Sequence, residues 1–513
     1  MTNSRASILI TIIAYLAGMV GIGFLCGKKS SDTAGDFYLG GRKLGPVVTA
    51  MSAEASDMSS WLLMGLPGLA YLSGITGAGW TAIGLAIGTY INWLLIAKRI
   101  RCYSQQLDAI TLPSFFSKRY GGHKALNAFS AIMIVVFFVP YTASGFAACG
   151  KLFASLFQVP YHAALVVSAI VIVGYCALGG FLAASITDLV QSIVMSLAIV
   201  IILGFGTYTA GGLDAVVANA QQLPGFFSLT QQHIPGGGAE PYSFFAIVSA
   251  IAWGLGYFGM PHILLRFMAI GDAAKLKLSR CIATVWVVIS LGVAVAIGVI
   301  GNAMSAAGAI PELEGAASET LVITIAHLLS KSGLLAAIIA GVIISGILAA
   351  TMSTADSQLL VASSSISQDL LQDSFGMKVS EKKAVWIARV TVVLIAAVGV
   401  VLAFDPNSSV FDIVSFAWAG FGATFGPVVV FSLFWKRTTY QGVLAGMGAG
   451  AVMVFFWKYM VRPLGGMWDV YELLPAFAVA SVVILAVTLL TPAPDDAVQK
   501  DFEAYQALSK SVQ

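Results

Sequence analysis

Asp57 stands inside an apolar stretch of membrane-spanning length, in the run Ala53-Glu54-Ala55-Ser56-Asp57-Met58-Ser59-Ser60-Trp61 that leads into Leu66-Pro67-Gly68. A carboxylate within a span is costly unless it meets a cation, a water-filled cavity or a partner, so it marks a functional site. The stretch is poor in helix formers and ends in Pro-Gly, the pattern of an unwound transmembrane helix that lines a solute or ion pathway. A second polar group lies far downstream, in Ala350-Thr351-Met352-Ser353-Thr354-Ala355-Asp356-Ser357-Gln358. Ser353, Thr354 and Ser357 are three and four residues apart, so their hydroxyls share one helical face. Hydroxyl and carbonyl oxygens suit a small, hard monovalent cation, and backbone freed by a helix break adds carbonyl ligands. Alone, such a serine/threonine helix is ordinary packing with back-bonding to its own carbonyls; beside broken helices it reads as a cation site.

A second break is written in Trp253-Gly254-Leu255-Gly256-Tyr257-Phe258-Gly259-Met260-Pro261-His262, where three glycines and a proline oppose a continuous helix. The glycines could also serve only close helix packing, but that leaves Asp57 unexplained.

These groups need a membrane around them. Of 513 residues, 58% are hydrophobic and 10% charged, with a mean hydropathy of +0.90, against about a quarter charged in soluble domains. Hydropathy predicts about thirteen spans of roughly 20 residues, near 8–26, 46–70, 75–97, 124–150, 161–179, 187–209, 243–262, 277–302, 334–364, 384–403, 411–435, 440–460 and 472–491. The breaks fall in spans 2 and 7, an offset of five that matches two inverted five-span repeats. Residues 1–45 then hold an extra first span and a cytoplasmic loop. The first repeat covers 46–210, an extracellular loop 211–242, the second repeat 243–437, two further spans 438–492 and a cytoplasmic tail 493–513. The expected class is an all-α polytopic membrane protein with discontinuous helices in its core.

Orientation follows from the basic residues. With the N-terminus outside, only Arg5, Lys151, Lys331, Lys458 and Arg462 of the 27 Lys and Arg face outward, while the other 22, Lys28, Lys29 and Arg266 among them, face the cytoplasm. The odd span count puts the C-terminal tail inside. The first apolar run is too long for a signal-peptide core and has no small-residue cleavage site, so it reads as a retained span. The balance of 27 basic against 24 acidic residues, a net charge of +3, speaks against a nucleic-acid partner. Cys26, Cys102, Cys149, Cys176 and Cys281 are scattered singly, which indicates neither a disulfide framework nor a zinc site. His123, His162, His233, His262 and His327 are isolated, and HExxH and GxSxG are absent, so no enzyme and no cofactor are expected.

With these motifs assembled, the chain resembles the sodium:solute symporter family, and within it the bacterial sodium/proline branch, over nearly its whole length. The resemblance is carried by Gly40-Gly41-Arg42-Lys43-Leu44-Gly45-Pro46, Ala55-Ser56-Asp57-Met58-Ser59, Trp61-Leu62-Leu63-Met64-Gly65-Leu66-Pro67-Gly68, Trp253 to Phe258, Pro261-His262-Ile263-Leu264, Met352-Ser353-Thr354 and Ala417 to Ala423. It implies a leucine-transporter-like 5+5 inverted-repeat core and sodium-driven alternating access in the bacterial cytoplasmic membrane. It further implies a sodium site of backbone oxygens from Ala55, Met58 and Ala350 with the Ser353 and Thr354 hydroxyls. A solute site would be lined by Asp57, Ser59, Tyr141, Trp253, Tyr257 and Pro261, with Ser60 and Trp61 beside it. Some family members have a second cation site, and the matching positions are Asp188, Ser353, Asp356 and Ser357. There two carboxylates near one hydroxyl cluster would repel unless a cation or a proton sits between them. The plainer alternative has Asp188 capping span 6 and Asp356 facing cytoplasmic water. Ser60, Glu54 and Asp356 depart from the usual pattern of the branch. These departures bear on the solute, and the resemblance keeps L-proline as the first choice, ahead of another small amino acid, betaine or an organic acid such as pantothenate. A nutrient-sensor reading is weakened by the short tail, too small for a signalling domain.

Overall fold

A computed structural model of the chain describes residues 3–27 and 34–511, with several side chains, those of residues 175–179, 381, 382 and 385 among them, left undescribed. Lys28 and Lys29 lie outside the described residues, as do the side chains of Cys176 and Lys382. Among the described residues nine helices are long and apolar enough to cross a membrane. The pair Phe244–Gly259 and Pro261–Ala269, bent by 48°, makes a tenth if taken as one span.

The expected count of about thirteen is not reached on this measure, and the shortfall has physical causes. The span at 46–70 is cut into Pro46–Asp57, Ser60–Leu63 and Gly65–Ser73. The span at 161–179 contains the shorter apolar helix Tyr161–Gly174, ahead of a sharp turn at Gly180, whose φ of 66° is open to glycine. The span at 384–403 contains Trp386–Leu402, again short of the usual length.

Leu334–Ser364 is the central post. Every residue from Ile343 to Leu359 is buried, as expected for a helix surrounded by protein rather than lipid. It packs on Tyr161–Thr209, Asn3–Gly27, Lys124–Phe157 and Pro46–Asp57. Val410–Phe434 forms a second post against Ala252–Gly259, Leu473–Leu490, Lys124–Phe157 and Tyr440–Phe456.

Two regions expected as plain connections are structured. Residues 211–242 hold the helix Leu213–Gln222 and a two-stranded antiparallel sheet, Gln231–His233 with Ala239–Pro241, in which Gln232 faces Glu240. This hairpin is tied to the helix Ile75–Asn92 by the Thr76 hydroxyl, which lies 2.5 Å from the Gln231 carbonyl and 2.8 Å from that of Ser228. The expected tail forms the helix Asp496–Ser511, which buries Val498, Phe502 and Tyr505, spaced four and three apart. Tyr505 stacks on Tyr103 at 4.2 Å, and Gln106 donates to the Asp501 carbonyl at 2.8 Å.

Candidate functional site

The first break is a local exchange of backbone partners. Pro46–Asp57 ends where Met58 leaves the helical region at φ −76°, ψ 65°. The Ser59 N–H turns back to the Asp57 carbonyl at 2.8 Å, and the Leu62 N–H goes to Ser59 at 3.0 Å. In a continuous helix these donors would serve Ala55 and Met58, so the break releases two carbonyls that the sequence had nominated as cation ligands. The Ala55 carbonyl accepts instead from the Ser353 hydroxyl, 2.7 Å away on the central post. The Ala350 carbonyl accepts from Ser353 at 3.2 Å and from Thr354 at 3.1 Å. Ala55, Ala350, Ser353 and Thr354 thus form one connected oxygen cluster, and Met58 lies one turn beyond Ala55.

The second break has another cause. Ala252–Gly259 winds tightly and Met260 is extended, so Pro261 can open the inner half-helix Pro261–Ala269 without an N–H to satisfy. Gly256 permits the contact that holds it: a Cβ there would fall inside the Trp418 indole. Side chains satisfy the freed carbonyls. Trp418 donates to Trp253 at 2.8 Å, and Asn92 to Tyr257 at 3.1 Å.

The two breaks meet at Asp57. Its Oδ2 accepts from the Tyr257 hydroxyl at 2.6 Å, and its Oδ1 is buried without a hydrogen bond. Tyr141 reaches the Asp57 carbonyl at 3.4 Å. Asp57, Tyr257 and Tyr141 therefore converge. Trp61 and Trp253 form an adjoining aromatic layer, 6.0 Å apart and joined by Phe411 at 5.1 Å from Trp253. Beyond it lies a cavity of about 380 Å³ lined by Trp253, Phe411, Ser415, Arg462 and Tyr471. Ser59 caps the short Ser60–Leu63 turn, Ser60 is buried with its hydroxyl unpartnered, and Pro261 serves the helix start. Glu54, three residues before Asp57, accepts from Trp93 at 2.8 Å.

The second polar cluster differs from its expected form, because a cation is built into it. Arg266, 1% exposed, donates to Asp188 at 3.1 Å, to Ser52 at 3.0 Å and to the His262 carbonyl at 2.9 Å, and it also contacts Ser357. Ser52 in turn donates to Asp188 at 2.6 Å. Asp188 lies well inside Tyr161–Thr209 and is buried, so it is not a helix cap, and Asp356 is buried rather than facing water. Asp356 accepts from Ser357 at 3.2 Å through Oδ1, while its Oδ2 has no partner. Arg266 is buried in the protein rather than in the cytoplasm, where a predicted span ending at residue 262 puts it. The available signal was Pro261, which as a helix opener requires a half-helix after it. Also missed was the ion pair of Lys151 and Glu319 at 2.6 Å, whose carboxylate accepts from the Val410 and Phe411 N–H groups and caps the second post. Nothing in the local sequence around either residue signals that pairing.

Broken helices crossing a buried central post are an arrangement that solved structures share. A Na+-coupled sialic acid symporter, solved in a substrate-bound outward-open state, matches with a TM-score of 0.77 at 16% identity, over 95% of this chain and 99% of that one. MHP1, a nucleobase-cation-symport-1 family transporter in a closed conformation, matches with a TM-score of 0.53 at 14% identity, over 91% of this chain. The fold is leucine-transporter-like.

The profile of the sodium:solute symporter family matches residues 37–450. The sodium/proline symporter of Haemophilus influenzae is 43% identical over 505 residues, 96% of this chain and 97% of that protein. The high-affinity proline transporter PutP of Bacillus subtilis is 42% identical, over 95% of this chain and 99% of that protein. The chain belongs to the sodium:solute symporter family, and it is a transporter rather than an enzyme.

Proposed function

We propose that this protein imports L-proline into a bacterium by sodium-driven alternating access. The observation that carries the reading is the 2.7 Å link from Ser353 to the released Ala55 carbonyl, beside the Asp57–Tyr257 contact. It joins oxygens of the kind a small cation takes to a buried carboxylate at one helix break, and the relatives named as proline transporters support the choice of solute. Sodium would be held by the carbonyls of Ala55, Met58 and Ala350 and the hydroxyls of Ser353 and Thr354, whose lone pairs become ligands once their protons turn away. Asp57, Ser59, Ser60, Trp61, Tyr141, Trp253, Tyr257 and Pro261 would surround the solute, with residues 46–210 and 243–437 as the two inverted repeats. The basic-residue bias favours an external N-terminus and a cytoplasmic C-terminus in the cytoplasmic membrane.

At the second cluster, Arg266 offsets one of the two carboxylates, which favours coupling to a single sodium. The unpartnered Asp356 Oδ2 supports a second cation at Asp188, Asp356 and Ser357 only if the guanidinium withdraws. The deciding experiment measures labelled uptake into liposomes with and without an inward sodium gradient, across proline, other small amino acids, betaine and pantothenate. Charge per solute is recorded in wild type and Asp356→Ser. Sodium-driven uptake of a different solute would overturn proline, and a stoichiometry lowered by Asp356→Ser would overturn the single sodium.

A further inference from the structure

One buried donor beside the proposed solute site has no acceptor. Gln358 lies four residues after Thr354, on the same face of Leu334–Ser364, and is 1% exposed. The Thr142 hydroxyl donates to its Oε1 at 3.2 Å, and its Nε2 is unpartnered. Gln358 lines a small space together with Ser59, Tyr141, Thr142, Gly145 and Thr354. A buried N–H2 without an acceptor is unfavourable unless a ligand supplies one.

We propose that Gln358 Nε2 is the donor that recognises the carboxylate of the transported amino acid, which makes Gln358 a specificity-determining residue. The inference rests on the amino-acid symport reading above. A carboxylate at Nε2 would neighbour a sodium at Thr354, and the cation would offset its charge where water is excluded. The buried cations nearby are already committed: Lys151 to Glu319 at 2.6 Å, and Arg266 to Asp188 at 3.1 Å. A neutral amide next to a bound cation is the recognition chemistry that remains. The space admits nothing as large as water in this conformation, so Lys124–Phe157 and the central post must part around the solute, with Gly145 at their seam.

The test compares L-proline with L-prolinamide, in which a neutral carboxamide replaces the carboxylate, as competitors of labelled proline uptake in liposomes. Gln358→Glu places a carboxylate against the solute's own. It should raise the half-saturation for proline roughly ten- to a hundredfold, the effect of one charge-assisted contact, while inhibition by prolinamide holds or strengthens. Gln358→Leu should weaken proline clearly more than prolinamide, whose carboxamide oxygen accepts only a neutral hydrogen bond. Thermal stabilisation by sodium alone reports that each variant is folded; if Gln358→Glu fails that check, Gln358→Met takes its place. Equal weakening of both competitors, or no change in either, overturns the proposal. Absence of sodium-driven proline uptake in wild type would instead refute the underlying symport reading.

Discussion

Removing the Ser353 hydroxyl separates sodium binding from helix packing. In Ser353→Ala the 2.7 Å bond to Ala55 is lost, a neutral pair that contributes about 0.5–1.5 kcal/mol to stability. If the same oxygen ligates a desolvated sodium, the charge-assisted contact is worth about 1.5–3 kcal/mol. At about 1.4 kcal/mol per tenfold, sodium half-saturation should rise roughly ten- to a hundredfold. Thr354→Ala, which loses a 3.1 Å bond to Ala350, should behave alike, and Thr354→Ser should stay near wild type because the hydroxyl is kept. The assay titrates sodium at saturating proline in liposomes and, separately, follows stabilisation by sodium without solute. If both alanine variants keep the wild-type sodium dependence, the cation lies elsewhere and the connected oxygen cluster is only packing.

Arg266→Met should lower stability by about 3–5 kcal/mol by leaving Asp188 buried and uncompensated, and Asp188→Asn added to it should recover much of that; thermal unfolding in detergent decides, and an unchanged midpoint would mean the pair is not intact. A cysteine at Gln231 should react with an impermeant thiol reagent applied outside and one at Lys378 should not; the reverse pattern would invert the proposed topology. Trp253→Ala should weaken the half-saturation for proline and leave sodium-only stabilisation unchanged, because an aromatic face does not hold sodium. An equal fall in maximal rate for every solute would mark the Trp61–Trp253–Phe411 layer as gate packing.

Much of the site could be read from the chain because its signals are local. Asp57 within an apolar run, the glycines and proline of 253–262 and the serine/threonine face of 350–358 each register within one or two helical turns, and the structure joins the first to the third through Ala55 and Ser353. What escaped is set by distance along the chain. Arg266 is neutralised by Asp188, 78 residues away, and Lys151 by Glu319, 168 residues away, so no window of sequence holds both partners. The span count is also a matter of measure: hydropathy registers apolar length but not where the backbone turns, so the stretch at 46–70 that it takes as one span is cut at Met58 into pieces too short to count as one long helix.

The docked helix Asp496–Ser511 has a consequence for how the protein is made. Gln106 finds its partner at Asp501, 395 residues further on, and Tyr103 stacks on Tyr505. At about 5–20 residues per second, a ribosome needs some tens of seconds to supply that surface after Tyr103 has left it. Throughout that interval Tyr103 and Arg119 lack the cover that Phe502 and Tyr505 give them. Chain completion is therefore also the event that seals this side of the molecule, and a translation stall before residue 496 would leave the bundle inserted but open to degradation.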